Sequence, residues 1–191
     1  FRVDGIVVDS ETMSTDTGSS RRLFLACWPD QALQELLDSL AQRLQKKHGG
    51  RKTARENIHL TLIFLGQVQQ HREQQLRNQL RTLDVKQFDL ELDEAGAFTH
   101  CRINWVGPRI IPKGLKDLHQ ALKHISHDLG FHTGERAYKP HVSLLRKAKT
   151  RPEQAIEPIP WKVDRYCLIE SKLKDNGVQY EILEEFQLAK T

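Results

Sequence analysis

Asn57-Ile-His-Leu-Thr-Leu-Ile-Phe-Leu-Gly66 is the stretch on which the fold turns, and Lys139-Pro-His-Val-Ser-Leu-Leu-Arg146 is its counterpart. Each contains histidine, apolar residue, hydroxyl residue, apolar residue: His59-Leu60-Thr61-Leu62 and His141-Val142-Ser143-Leu144. Both have the apolar density and turn-bounded length of short strands. Side chains alternate between the faces of a strand, so His59 shares a face with Thr61, and His141 with Ser143. Alternation puts Ile58, Leu60, Leu62 and Phe64 on the opposite, core face, and likewise Val142 and Leu144. An imidazole and a hydroxyl on one face are costly to bury without partners, so a polar cleft is their natural setting. Pro140 lacks a backbone donor, which places His141 at a strand start or a sheet edge.

Working outward, Leu23 to Trp28 reads as a first strand, with Asp30 placed to cap a helix carrying Leu33, Leu36, Leu37, Leu40 and Leu44. Gly49-Gly50 ends that helix. The basic loop from Arg51 to Arg55 leads into the first motif, and Gly66 is expected to end its strand. A second amphipathic helix spans 70–83, and alternating and apolar runs at 88–93 and 103–106 give further strands. A third helix is predicted over 113–129 and ends at Gly130. After the second motif, strands near 163–171 and 178–188 complete the chain. Strand, helix and His-containing strand thus recur, with the motif histidines 82 residues apart (141 − 59). The predicted class is α+β, as two similar lobes with one motif each facing a shared cleft.

Composition sets the outer bounds. A chain of 191 residues suits one globular unit. We expect residues 1–20 to be a tail, an expression scar before Met13 followed by a polar start, and 21–191 to form a single two-lobed domain. The 29 Lys+Arg against 25 Asp+Glu give a net charge of +4, a mild positive field that suits an anionic ligand. Cys27, Cys101 and Cys167 are odd in number and widely spaced, which fits reduced thiols packed as small apolar groups in a cytoplasmic protein. No apolar run is long enough for a membrane span.

A lone strand histidine is most often structural, but two matching pairs in the two best apolar strands point to a site. Two imidazoles with neighbouring hydroxyls can serve as general acid, general base and oxyanion donors at a phosphorus centre. His119, His124 and His127 on the third helix raise a metal-dependent hydrolase as an alternative. They lack a recognised ligand spacing, so a solvated helix face is the better account. The basic stretches Lys46-Lys47, Arg51-Lys52, Arg55 and Arg146 to Arg151 flank the motif strands and add positive charge suited to an anionic ligand.

The two segments resemble the paired signatures of the two-histidine phosphoesterase superfamily, in particular its LigT-like branch, the bacterial RNA 2′,3′-cyclic phosphodiesterases also called 2′-5′ RNA ligases. The likeness extends to Arg22-Leu-Phe-Leu-Ala26 with Pro29, Trp105-Val-Gly107 and Gly114-Leu115, over roughly residues 21 to 188. It implies antiparallel sheets with outer helices forming a V-shaped groove, no cofactor and no metal, and a monomer acting on RNA with a 2′,3′-cyclic end or on a small cyclic nucleotide. By that resemblance His59 donates a proton to the departing 3′ oxygen and His141 accepts one from water, giving a 2′-phosphate. Reversible 2′-5′ ligation of RNA ends is a further implied activity, and the alternative is a non-catalytic RNA-end or nucleotide-binding module of the same fold, against which stands the presence of both imidazoles. Thr61 and Ser143 would hydrogen-bond the phosphate, with Ser143 standing where threonine is commoner. Arg146 matches a phosphate-contacting arginine, yet five residues after His141 it falls on the wrong face unless a bulge, strand end or long reach intervenes. Phe24 matches an aromatic near the groove and is the candidate base-stacking residue, or a filler of the lobe interface.

Overall fold

The computed structural model describes residues 19–134, 137–174 and 177–190. Most of the predicted tail, residues 1–18, lies outside them, and the first strand begins at Ser20. The order is β1 (Ser20–Cys27), α1 (Gln31–His48), β2 (Arg51–Lys52), β3 (Leu60–Gln69), α2 (Gln70–Leu80), β4 (Phe88–Phe98), β5 (Ile103–Gly107), α3 (Lys113–Asp128), β6 (Val142–Arg146), β7 (Ala155–Val163), β8 (Arg165–Lys174) and β9 (Gly177–Gln187), with a 3₁₀ turn at Arg55–Asn57. Asp30 caps α1 by accepting the Leu33 N–H at 2.8 Å.

The strands run in the order β7-β4-β5-β6-β3-β1-β8-β9, with β2 paired to β6. Their pairings are antiparallel. The sequence points to two sheets; the hydrogen bonding makes one path, whose two four-stranded halves meet at the single pair Leu60–Val142. Two helices reach across the join. α1 follows β1 in one half but lies against β2 and β6 of the other, whereas α3 follows β5 and spans β4 of its own half and β3 of the other; α2 lies against β3, the strand it follows. Under the helices a continuous core gathers Leu37, Leu60, Leu92, Leu115, Leu118 and Val142 from both halves. On the other face a smaller cluster of Phe24, Ala26, Cys167 and Ile169 supports the cleft. Among the described residues, no helix is long and apolar enough to cross a membrane.

Three expectations change. Gly66 does not end its strand; at φ +74° it lies within β3, beside a register shift that faces Leu23 and Phe24. Phe64 is not in the core. A one-residue bulge at Leu62, which has no partner between the pairs Ala26–Thr61 and Leu25–Ile63, reverses the alternation, so Ile63 goes inward and Phe64 outward. Cys101 is exposed in the β4–β5 turn, while Cys27 and Cys167 are buried as expected. Burial raises both buried thiols, Cys167 to about 12.

Candidate active site

Both motif histidines precede their strands by one residue and are held identically. The Nδ1–H of His59 donates to the Asn57 carbonyl at 2.8 Å, and that of His141 to the Lys139 carbonyl at 2.8 Å. Such a bond fixes the tautomer and leaves each Nε2 for chemistry. Nε2 of His59 lies 3.0 Å from Thr61 Oγ1. Both imidazoles, Thr61 and Ser143 line one cleft of about 650 Å³, together with Arg146, Asn57, Phe64 and Tyr180. The structure therefore brings together His59, Thr61, His141, Ser143 and Arg146, five of the six residues named from sequence.

Arg146 reaches the cleft through a bulge in β6. Ser143 pairs with Trp105 and Leu145 with Asn104, so Leu144 has no partner and the alternation reverses. Leu144 and Leu145 are both buried, and Arg146 turns to the face of Ser143. The segment before the first motif braces this bulge. Thr53 donates its N–H to the Leu144 carbonyl and its hydroxyl to the Ser143 carbonyl, each at 2.8 Å.

Phe24 is the exception. It is 2% exposed, which leaves its ring little surface for a base. Instead it supports His59 from below, with ring centroids 5.1 Å apart. Trp28 stacks on His59 at 5.2 Å and 3°, and Tyr180 meets it edge-on at 5.1 Å. The available aromatic surface is that of Phe64, 65% exposed, and of half-buried Tyr180. On the other side Phe98 meets His141 edge-on at 4.8 Å, and Lys139 lies over the Trp105 ring at 4.3 Å. Sequence reasoning missed Trp28, Phe64, Phe98 and Tyr180. The aromatic after Cys27 and the five-residue spacing from His59 were the only hints.

These surroundings lower both imidazoles. For His59, burial is the main cause, with the charge of His141 and Arg146 adding, against the Asn57 bond; the result is about 4. His141 is lowered by burial, then by Lys139 and Arg146, against its backbone bond. Arg146 thus acts electrostatically on both.

The helix histidines are elsewhere. His119 stacks on Tyr138 at 3.8 Å, His124 Nε2 lies 3.3 Å from Asp128, and His127 is exposed.

The family model described as the 2′-5′ RNA ligase superfamily matches residues 28–175. An RNA 2′,3′-cyclic phosphodiesterase of Escherichia coli K12 is 30% identical over 174 residues, 88% of this chain and 97% of its own length. One from Thermotoga maritima is 28% identical over 180 residues, 87% of this chain and 95% of its own. The crystal structure of E. coli LigT complexed with 3′-AMP superposes with a TM-score of 0.83 at 28% identity, covering 90% of this chain and 99% of that one.

Proposed function

The chain belongs to the 2′-5′ RNA ligase superfamily, and from that premise we propose that it hydrolyses RNA 2′,3′-cyclic phosphate ends to 2′-phosphates. The observation that carries this reading is the matched pair of imidazoles, each anchored through Nδ1 and each lining the same cleft beside a hydroxyl residue and Arg146. The near full-length likeness to proteins named RNA 2′,3′-cyclic phosphodiesterase supports the substrate class.

The cyclic phosphate lies between the two halves of the sheet, which act as the walls of a groove. Nε2 of His141 takes a proton from water as the water oxygen bonds to phosphorus. Nε2–H of His59 gives its proton to the 3′ oxygen as that P–O bond breaks. Thr61 and Ser143 donate to the nonbridging oxygens and Arg146 opposes the charge that builds there. A histidine lowered to about 4 is neutral in the empty cleft at pH 7. The phosphate anion attracts charge on the imidazole directly, which raises His59 in the complex and lets Nε2 take up the proton that it then donates. Phe64 and Tyr180 offer stacking surface to the terminal nucleoside. No step in this scheme requires a metal.

The test is an oligoribonucleotide with a 2′,3′-cyclic end, incubated with chelator, with the product phosphate located. A 2′-phosphate is expected. A 3′-phosphate would overturn the assignment of His59 as the leaving-group acid, and loss of turnover in chelator would favour a metal-dependent reaction. His59→Ala and His141→Ala should each lower kcat by about a hundredfold or more.

A further inference from the structure

Arg51 pairs across the β2–β6 ladder with Arg146, and both line the cleft. Two like charges directly opposite on one sheet face oppose each other and destabilise the pairing. The neighbouring cations are neutralised: Lys52 Nζ lies 2.5 Å from Asp38, and Arg55 Nη1 lies 3.4 Å from Glu35. Among the described residues, no carboxylate forms an ion pair with Arg51 or Arg146, and Glu56, on the same cleft, pairs with neither.

The backbone is built to hold this arrangement. Gly50, at φ +85°, approaches β6 so closely that a Cβ there would fall 2.6 Å from the Arg146 carbonyl oxygen. Thr53 ties the other end of the short strand to Ser143 and Leu144 by two hydrogen bonds. An unneutralised pair of guanidiniums, on backbone held from both sides and lining a cleft of about 650 Å³, is a ready receptor for two anionic groups in succession.

We infer that Arg51 forms a second phosphate subsite beside Arg146, which takes a phosphodiester of a single RNA strand while Arg146 serves the reacting phosphate. This rests on the phosphodiesterase reading of the cleft and adds to it a preference for oligomers over mononucleotides. A nucleoside 2′,3′-cyclic monophosphate has one phosphate and fills only the first position. A dinucleotide with a cyclic end has two.

The experiment compares wild type, Arg51→Gln, Arg51→Lys and Arg55→Gln on those two substrates. Arg51→Gln should lose about tenfold more kcat/KM on the dinucleotide than on the mononucleotide, mainly through KM, and Arg51→Lys should recover part of it. Arg55→Gln, which removes a cation already paired with Glu35, should not separate the two. Equal losses on both substrates, or none on either, overturn the subsite. If wild type turns over neither cyclic substrate, the phosphodiesterase reading fails, and the subsite is still decided by binding. Anisotropy of a labelled single-stranded RNA against KCl should then show the slope of log K on log salt falling by about 0.7 in Arg51→Gln, and an unchanged slope overturns it.

Discussion

Phe64 and Arg146 hold equivalent places: each lies five residues after its motif histidine, and each is turned into the cleft by a one-residue bulge right after the hydroxyl residue, at Leu62 and Leu144. One bulge presents an aromatic ring, the other a guanidinium. The cleft is thereby divided into a stacking side around His59 and a cationic side around His141.

Arg146 should therefore matter to the transition state more than to the fold. Arg146→Ala is expected to lower kcat/KM on a nucleoside 2′,3′-cyclic monophosphate by about a hundredfold, the scale of a lost charged donor. Arg146→Lys should restore only part, because an ammonium keeps the charge and loses the fork. Steady-state kinetics alongside thermal unfolding would show activity falling with the melting temperature little changed.

The two phenylalanines make a contrasting pair. Phe64→Ala removes an exposed ring and should leave stability within about 0.5 kcal/mol, while raising KM about tenfold through lost base stacking. Phe24→Ala empties a buried site and should cost about 3 kcal/mol or more in urea unfolding. Equal destabilisation by both would contradict the bulge at Leu62.

Rate against pH follows from the lowered imidazoles. The profile of kcat/KM reports the free protein, and the reactive form carries one proton on the pair. Both histidines are below their ordinary value, His59 at about 4, so the bell should peak on the acid side of 6.5. The kcat profile, which reports the complex, should lie at higher pH because the bound anion raises the imidazoles. Arg146→Gln removes one lowering charge from each and should move the kcat/KM bell upward.

The same burial links stability to pH. His59 is near 6.5 when unfolded and about 4 when folded, so the unfolded chain binds the proton more readily between those values. Its contribution is fully present above about 6.5 and is lost as pH falls toward 4. His141 and His119, also lowered, act in the same direction. Taking wild type from pH 7 to pH 5 should cost about 2 kcal/mol more in urea unfolding than the same step for His59→Gln. Equal losses would mean that His59 is not desolvated.

The sequence made the two motifs and the helices legible because period-2 and period-3.6 patterns are local. His59 with Thr61 and His141 with Ser143 needed only two residues of alternation. Phe64 needed four, and the bulge at Leu62 depends on how β3 pairs with β1, which no local pattern contains. The misplacement of Phe24 has the same origin: alternation gave its face correctly, but not that Phe64 and Tyr180 would cover it. Tyr180 is 121 residues from His59 (180 − 59) and reaches it only through the order β3-β1-β8-β9. The single sheet path was hidden because one pair, Leu60–Val142, makes the join.

That join, with the helices that reach across it, has a consequence for inheritance and engineering. α1 covers β2 and β6 of the half its chain segment does not belong to, and α3 spans β4 of its own half and β3 of the other, so the roof is shared across the join although α2 stays on β3 of its own half. Separating the halves would take α1 from β6 and α3 from β3 and expose part of both apolar faces, so the acid and the base are not carried on independent modules that could be recombined. Whatever ancestral duplication the repeated strand, helix and His-strand order reflects, its copies are now hostage to each other, and a change in one wall of the groove is felt in the packing of both.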